Sequence, residues 1–404
     1  MHLQYGGEGI SFIVCFSIWH YNLTQATGIL FPAHRKSSNL SANFANGTMK
    51  LSSIGSQMKK YITWLFTSLT FSAAFAQADS SFFDKNYHIE KWMKEKKVPA
   101  LGLGIIENGK LKQIKVFGEL SKGRTAPYNT IFNVASLTKP VTAIVALKLV
   151  SLGKWNLDEP VYKYWTDPDI ANDPRNKKLT TRIILSHQTG FPNWRWLSDS
   201  KKLSFQFEPG TQYQYSGEGF EYLKKALEQK FHKSLPQLAN ELIFGPLKMY
   251  DTKFVWDKNI DTLRFAVGYD RNGDTYKIVK DKAPSAADDL LTTIQDYGKF
   301  LVSVMNSEGL TKPVFDEMTS NQVVSTKSKH FGLGFELYDL SDGEYALSHG
   351  GADDGVRTIV FILPKSKQGL LIFTNSDSGG SLYERLVKHY LGKNGQKILD
   401  IETK

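Results

Sequence analysis

Segments with strand patterns lie at both ends of the chain after residue 77, and segments with helix patterns lie between them. Two apolar segments, 100–106 and 111–117, flank Asn108-Gly109, which predicts a β-hairpin. Further strands are predicted at 331–338, 345–349, 356–363 and 369–374, and a last helix at 382–391. This order predicts an α+β fold in which both chain ends build one antiparallel sheet, flanked by helices, with a mainly helical lobe inserted at about residues 135–265.

The N-terminal part of the chain has the pattern of a leader that precedes a single domain. A basic start, Met58-Lys-Lys60, is followed by an apolar run at 61–75 and by the small-residue site Ala74-Phe-Ala76, as in a secretory signal peptide. This run is shorter than a membrane-spanning helix requires. We expect no stable membrane span after the signal peptide is cleaved. We therefore expect a periplasmic or secreted protein with three parts: an over-extended start or leader at 1–57, a signal peptide at 58–76, and one domain at 77–404.

Composition excludes several other classes of protein. The chain has 404 residues, of which 41% are hydrophobic, so it can bury a large core and is not a disordered chain. Its only cysteine, Cys15, lies in the predicted leader, which leaves the domain without a disulfide, a thiol nucleophile or a cysteine-based zinc site. The net charge is +10, but no basic run is long enough to predict binding of nucleic acid.

Ser136-Leu-Thr-Lys139 places a hydroxyl and an amine three residues apart, where an apolar helical run begins. Residues i and i+3 share a helix face, so the amine of Lys139 can reach the hydroxyl of Ser136. The unpaired amides at a helix start favour an oxyanion and disfavour an ammonium. Pro140 is compatible with the first helical turn. The pattern predicts an activated serine nucleophile.

Two more segments follow in order along the chain. Tyr215 lies in a glycine-bounded turn at 210–219, and Ser348-His-Gly-Gly351 precedes the predicted strand at 356–363. Together the three segments resemble the S-x-x-K, Y-x-N and K-T-G or H-x-G elements of the serine β-lactamase and penicillin-binding-protein superfamily. Within it, the chain is most similar to the class C β-lactamase-like branch, which includes D-alanyl-D-alanine carboxypeptidases, D-aminopeptidases and esterases.

The resemblance implies a role for each matching residue. Ser136 would attack a carbonyl and become acylated, while Lys139 and Tyr215 share the proton transfers, with either one as the formal base. We expect the cluster to lower both pKa values toward neutral, because an ammonium stabilises a nearby phenolate. The resemblance also assigns the oxyanion and substrate-binding positions. They are the amides of Ser136 and Ala352, the histidine His349, the glycines Gly350 and Gly351, beside which the substrate would lie, and Gly217 at the third position of the Y-x-N element.

Two positions depart from the β-lactamase pattern. Gly217 stands where the Y-x-N element has asparagine, and His349 stands where β-lactamases have lysine. We therefore predict an exported serine hydrolase that acts on an ester or a D-amino-acid peptide, with weak β-lactamase activity at most. Two alternatives stay open: a penicillin-binding or cell-wall-sensing module that is acylated without turnover, and a true class C-type β-lactamase.

The remaining candidates receive non-catalytic interpretations. His187 is interpreted as part of a structural turn, and the acidic pairs Asp288-Asp289 and Asp353-Asp354 as solvated loop groups, since no His or Glu lies at ligand spacing. The aromatic loop from Phe191 to Trp196 either walls the substrate pocket or packs the helical lobe. We expect no metal and no cofactor, and a small-molecule or peptide substrate, with cell-wall peptides among the candidates.

Overall fold

The computed structural model describes residues 89–326 and 328–403. Its main sheet has nine strands in the order β3-β2-β1-β11-β10-β9-β8-β7-β6. The central pair joins the two ends of the chain, because β1 runs antiparallel to β11 with Leu101 opposite Thr374. The strands of this sheet are β1 Ala100–Glu107, β2 Lys110–Ser121, β3 Arg124–Thr125, β6 Val323–Thr326, β7 Lys329–Phe331, β8 Glu336–Asp339, β9 Tyr345–Asp353, β10 Val356–Leu363 and β11 Gln368–Thr374.

Helices cover the sheet and recur along the segment between its two halves. A separate two-stranded ladder pairs β4 with β5. The helices are α1 Ile89–Glu95, α2 Thr138–Ser151, α3 Thr181–Leu185, α4 Gly217–Phe231, α5 Leu235–Ala239, α6 Ile294–Met305, α7 Lys312–Met318 and α8 Tyr383–Glu402, and the short strands are β4 Phe132–Asn133 and β5 Leu291–Thr292. The predicted α+β architecture, with a sheet made from both chain ends, is confirmed.

Helix α2 lies at the centre of the fold. Every residue from Thr138 to Leu149 is buried, so this helix has no solvent face and packs against neighbours on all sides. A turn of 3-10 helix, Ala135–Leu137, leads into it from β4. The S-x-x-K segment is therefore fixed by the core of the protein rather than by a surface loop.

Two sequence predictions need correction. The strand expected at 331–338 is split into β7 and β8, because Gly334 has φ +87° and a Cβ there would collide with the Ala143 side chain of α2. The last helix does not end near residue 391 but continues through a kink at Gly392, where φ is +54°. Helices α6 and α7 were not predicted.

Among residues 89–326 and 328–403, no helix combines the length and the apolar character needed to span a bilayer. The predicted leader and signal peptide lie outside the described residues. The division into leader, signal and one domain therefore stays a prediction, as do export and the predicted bounds of the helical lobe.

Candidate active site

Ser136 lies in the 3-10 turn between β4 and α2. The preceding residue, Ala135, has φ +47°, an uncommon conformation for a residue with a side chain. Its backbone N–H donates to Asn133 Oδ1 at 2.8 Å, and Asn133 Nδ2 in turn donates to Asp289 Oδ1 at 3.1 Å. These contacts fix the turn that presents Ser136.

Lys139 is fully buried and its amine contacts the serine. Its Nζ donates to Ser136 Oγ at 2.9 Å and to the carbonyl oxygen of Ala287 at 2.8 Å. Burial lowers the pKa of Lys139 to about 8, against the opposing influence of Asp288, Glu221 and Asp289. A neutral amine at this position can accept the proton of the hydroxyl that it contacts.

The segment at 286–290 lies along helix α2 and completes the surroundings of Lys139. Thr142 Oγ1 donates to the Ala286 carbonyl at 2.7 Å, and Leu290 N donates to Thr138 Oγ1 at 3.0 Å. With the bond from Lys139 to Ala287, this makes three side-chain contacts from one helix to one segment. The carbonyl that binds the lysine is therefore held by contacts on both sides.

Tyr215 stands just before α4, with its ring against the amine. Lys139 Nζ lies 4.6 Å from the centre of the ring. Burial raises the pKa of Tyr215 well above its ordinary value, although a hydrogen bond with Ser136 acts in the opposite direction. The expectation that the cluster lowers both pKa values is thus wrong for the phenol, because the effect of burial dominates.

His187 supports Tyr215 from the side remote from solvent. It is fully buried, has φ +57°, and its ring centre lies 4.4 Å from that of Tyr215. Its Nδ1 accepts the N–H of Ser216 at 3.0 Å, and its carbonyl accepts the N–H of Gln214 at 2.8 Å. Both neighbours of Tyr215 in the chain are therefore bound by one residue. Burial and the charge of Lys139 hold the pKa of His187 well below its usual range.

Strand β9 lies against the turn that carries Ser136. A side chain at Gly351 would collide with the Val134 carbonyl and the Thr358 hydroxyl, and its Cβ would lie 3.3 Å from Ser136 N. Ala352 follows on the same strand and pairs with Arg357 of β10. The sequence-predicted position Gly351 thus lies against the turn that carries the nucleophile, and Gly350 and Ala352 flank it on the strand. Their substrate-binding roles remain predictions.

His349 is buried on β9 within ring contact of Tyr215, at 6.1 Å between centres. Its Nδ1 lies 2.7 Å from the Gly350 carbonyl oxygen, so Nδ1 carries the proton and donates. Burial, with the charge of Lys139, lowers the pKa of His349 to about 3. The ring is therefore neutral at neutral pH, and its Nε2 is an acceptor without a hydrogen-bond partner among the described residues.

Gly217 opens helix α4 beside an indole ring. A Cβ at this position would lie 2.6 to 2.8 Å from three carbon atoms of Trp194. The Gly217 N–H donates to Asn193 Oδ1 at 2.9 Å, and the Glu218 N–H donates to the Asn193 carbonyl at 3.0 Å. The space that a side chain at 217 would fill is therefore occupied by Trp194.

Three carboxylates stand together near Lys139. One oxygen each of Asp288, Asp289 and Asp353 lies within 4.8 Å of the others, a spacing at which a cation could be held. Burial raises the pKa of Asp288 and Asp289 above the usual value, and that of Asp353 to about 6. The interpretation of all these groups as solvated loop carboxylates is wrong for Asp288 and Asp289, which are half-buried. The prediction that no metal is bound stays a prediction.

The chain belongs to the Beta-lactamase family, whose model matches residues 86–389. Among curated proteins it is similar to Protein flp of Staphylococcus aureus strain MW2, with 22% identity over 323 residues, 74% of this chain and 64% of that protein. The chain thus spans slightly less than two thirds of that relative's length.

Among solved structures the chain is similar to the octameric penicillin-binding protein homologue from Pyrococcus abyssi. The TM-score is 0.65, the identity is 23%, and the match covers 77% of each chain. This likeness shows the fold. The resemblance to the serine β-lactamase and penicillin-binding-protein superfamily is confirmed.

Several contacts at the site were not predicted from the sequence. Asn133 and Asp289 fix the turn that carries Ser136, and Ala287 accepts a hydrogen bond from Lys139. Ala287 acts through its carbonyl, and it lies 148 positions beyond Lys139 in the chain. A contact made by a backbone carbonyl, between residues so far apart in the chain, cannot be recognised in a single sequence. Asn133 had a weak signal, because a polar residue interrupts an apolar segment just before the serine.

Proposed function

We propose that the chain is an exported serine hydrolase that acts through a serine acyl-enzyme on an ester or on a D-amino-acid peptide. The observation that carries this proposal is the buried pair in which Lys139 Nζ lies 2.9 Å from Ser136 Oγ. A lysine whose pKa is lowered to about 8 has a neutral fraction near neutral pH that can take a proton.

In the proposed first step, Ser136 Oγ attacks the substrate carbonyl and its proton passes to Lys139. The carbonyl oxygen becomes an oxyanion, which the backbone amides of Ser136 and Ala352 are proposed to stabilise. Donors of this kind contribute about 3 kcal/mol to a transition state. The carbon–oxygen or carbon–nitrogen bond then breaks, and the leaving group takes a proton from the cluster.

Tyr215 is proposed to assist that second proton transfer. Its pKa is raised, so the phenol stays protonated at neutral pH and can donate. Lys139 is accordingly the base and Tyr215 the donor in this proposal, and the phenolate left on Tyr215 takes back the proton that Lys139 received from Ser136. Water then attacks the acyl carbonyl and gives a proton to the neutral Lys139. The bond between the acyl carbon and Ser136 Oγ breaks, and Ser136 Oγ takes that proton, which restores the hydroxyl and the neutral amine.

Weak β-lactamase activity at most is part of the proposal, because Gly217 offers no side-chain amide and His349 is neutral. The second candidate is a module that is acylated without turnover. Hydrolysis of 4-nitrophenyl acetate separates the two, since a hydrolase releases nitrophenol over many cycles, whereas a binding module releases a single equivalent. Release of one equivalent, or none, would contradict the hydrolase.

A further inference from the structure

Trp194 forms one wall of the candidate site. Its ring centre lies 5.9 Å from Lys139 Nζ, and Ser136 Oγ lies 2.9 Å from that same amine. An acyl group bonded to Ser136 Oγ would therefore stand within reach of the indole. The indole also fills the space beside Gly217, so no side chain from α4 separates it from the site.

The residue between the two tryptophans anchors this wall. Arg195 forms ion pairs with Asp167, Asp169 and Glu218 at 2.8, 3.1 and 2.8 Å. The Asp167 and Glu218 side chains are only 8% and 5% exposed, so these ion pairs are screened little by solvent. Glu218 is the neighbour of Gly217 on α4, which ties the loop to the helix that it faces.

A second ring extends the wall toward solvent. Trp196 stacks on Trp194 with ring centres 4.5 Å apart and an interplanar angle of 14°. Trp196 is 51% exposed. The pair therefore presents a continuous aromatic surface from the buried amine of Lys139 to the protein exterior.

The backbone donors beside this surface are already engaged. The N–H groups of Gly217 and Glu218 both donate to Asn193, which uses its amide oxygen and its carbonyl for them. A substrate amide placed here would lose its hydrogen bonds to water and meet carbon atoms of the indole. Leaving a polar group unpaired in this way is unfavourable, whereas an alkyl or aryl group gains by contact with the ring.

We propose that Trp194 determines acyl-group specificity, so that the site prefers esters of apolar alkyl or aryl carboxylic acids over substrates with an acylamino group next to the reacting carbonyl. This inference rests on the proposed serine hydrolase function and narrows its range of substrates. Of the two proposed substrate classes, it favours an ester over a D-amino-acid peptide.

The test compares two esters with the same leaving group and the same acyl chain length. 4-Nitrophenyl pentanoate and 4-nitrophenyl N-acetylglycinate differ in that an amide replaces two methylene groups. Each kcat/KM is divided by the spontaneous hydrolysis rate of that ester, which removes their difference in intrinsic reactivity. We expect the wild-type protein to favour the pentanoate by about tenfold or more.

Variants then test whether the indole of Trp194 causes the preference for the pentanoate. Trp194→Ala is expected to reduce the ratio about tenfold, through a higher KM for the pentanoate, and Trp194→Phe to retain most of it. Leu197→Ala, in the same loop and 51% exposed, serves as the control and is expected to leave the ratio unchanged. The double variant Trp194→Ala/Gly217→Asn, which restores an amide at 217, is expected to shift the preference toward the N-acetylglycinate.

The outcomes separate the two proposals. Three results overturn the role of Trp194 and leave the hydrolase standing. They are a wild-type protein that hydrolyses both esters without preference, a Trp194→Ala variant that keeps the wild-type preference, and a Trp194→Phe variant whose preference exceeds that of the wild type. A wild-type protein that hydrolyses neither ester overturns the proposed function, and the specificity inference falls with it. Thermal melting of each variant identifies a loss of activity that comes from misfolding. If Trp194→Ala is misfolded, the ratio measured for Trp194→Phe decides.

Discussion

At the scale of single residues, Lys139 carries the proposed chemistry, because its amine must be neutral to accept a proton. Its pKa is lowered to about 8 by burial. Below that value the amine is charged and inactive as a base, so kcat/KM for 4-nitrophenyl acetate should rise about tenfold per pH unit and level off above pH 8. A rise centred near the ordinary lysine pKa, or a rate independent of pH between 6 and 9, would contradict this assignment of the base.

Asp288 should influence the midpoint of this pH profile of kcat/KM. Its negative charge is the largest influence that raises the pKa of Lys139 against burial. Replacing it by the neutral Asp288→Asn removes this influence, so the midpoint of the pH profile should move to lower pH by about half a unit. Asp354→Asn removes the same charge at an exposed position and should leave the midpoint unchanged. A shift to higher pH in Asp288→Asn would refute the electrostatic account.

His187 is proposed to position Tyr215 rather than to react. His187→Ala removes the ring that stacks on Tyr215 and accepts the Ser216 N–H, so kcat should fall about tenfold to a hundredfold with little change in KM. His187→Asn tolerates the positive φ and keeps an acceptor, and should recover part of the activity. His232→Ala, at the end of helix α4, is the control. Equal losses in the Ala and Asn variants would argue against positioning through this hydrogen bond.

At the scale of elements, the contact between β9 and the turn before α2 depends on the missing side chain of Gly351. Gly351→Ala would drive a methyl group into the Val134 carbonyl and the Thr358 hydroxyl, and should lower the free energy of unfolding by about 1 to 3 kcal/mol. Gly380→Ala, where the nearest atom lies 3.8 Å from the added Cβ, should change it little. Urea denaturation of both variants measures the difference. Equal stability would show that the strand is not held this closely against the turn.

The elements also show what one sequence can and cannot predict. The hairpin of β1 and β2 and strands β10 and β11 follow local patterns, and they were predicted to within a few residues. The split between β7 and β8 was missed because it depends on contact with Ala143, far away in the chain. Helix α6 was missed although Thr293 caps its first turn by accepting the Asp296 N–H at 3.2 Å.

The features of the candidate site are likewise of two kinds, those that one sequence predicts and those that it does not. Ser136, Lys139 and Tyr215 were found because their spacing matches motifs, and the structure brings them into contact. Trp194 was left undecided between pocket and core, because its position against Gly217 arises from a loop folding onto the start of α4. The raised pKa of Tyr215 could not be predicted, since it depends chiefly on burial in the folded protein.

At the scale of the whole molecule, the fold explains how distant segments meet at one serine. Pairing of β1 with β11 closes the sheet from both chain ends, and β9 then lies beside the turn that begins α2. The segment at 286–290 returns along α2 and supplies the carbonyl that binds Lys139. Membership of the Beta-lactamase family accounts for this arrangement.

Intact mass identifies the nucleophile most directly, measured on the unmutated protein and on Ser136→Ala after incubation with a 4-nitrophenyl ester and, separately, with a fluorescent penicillin. We expect that the unmutated protein alone turns over the ester or gains the mass of one acyl group, and that Ser136→Ala does neither. If both proteins gain the same adduct, or hydrolyse the ester at the same rate, Ser136 is not the nucleophile and the proposed mechanism is wrong.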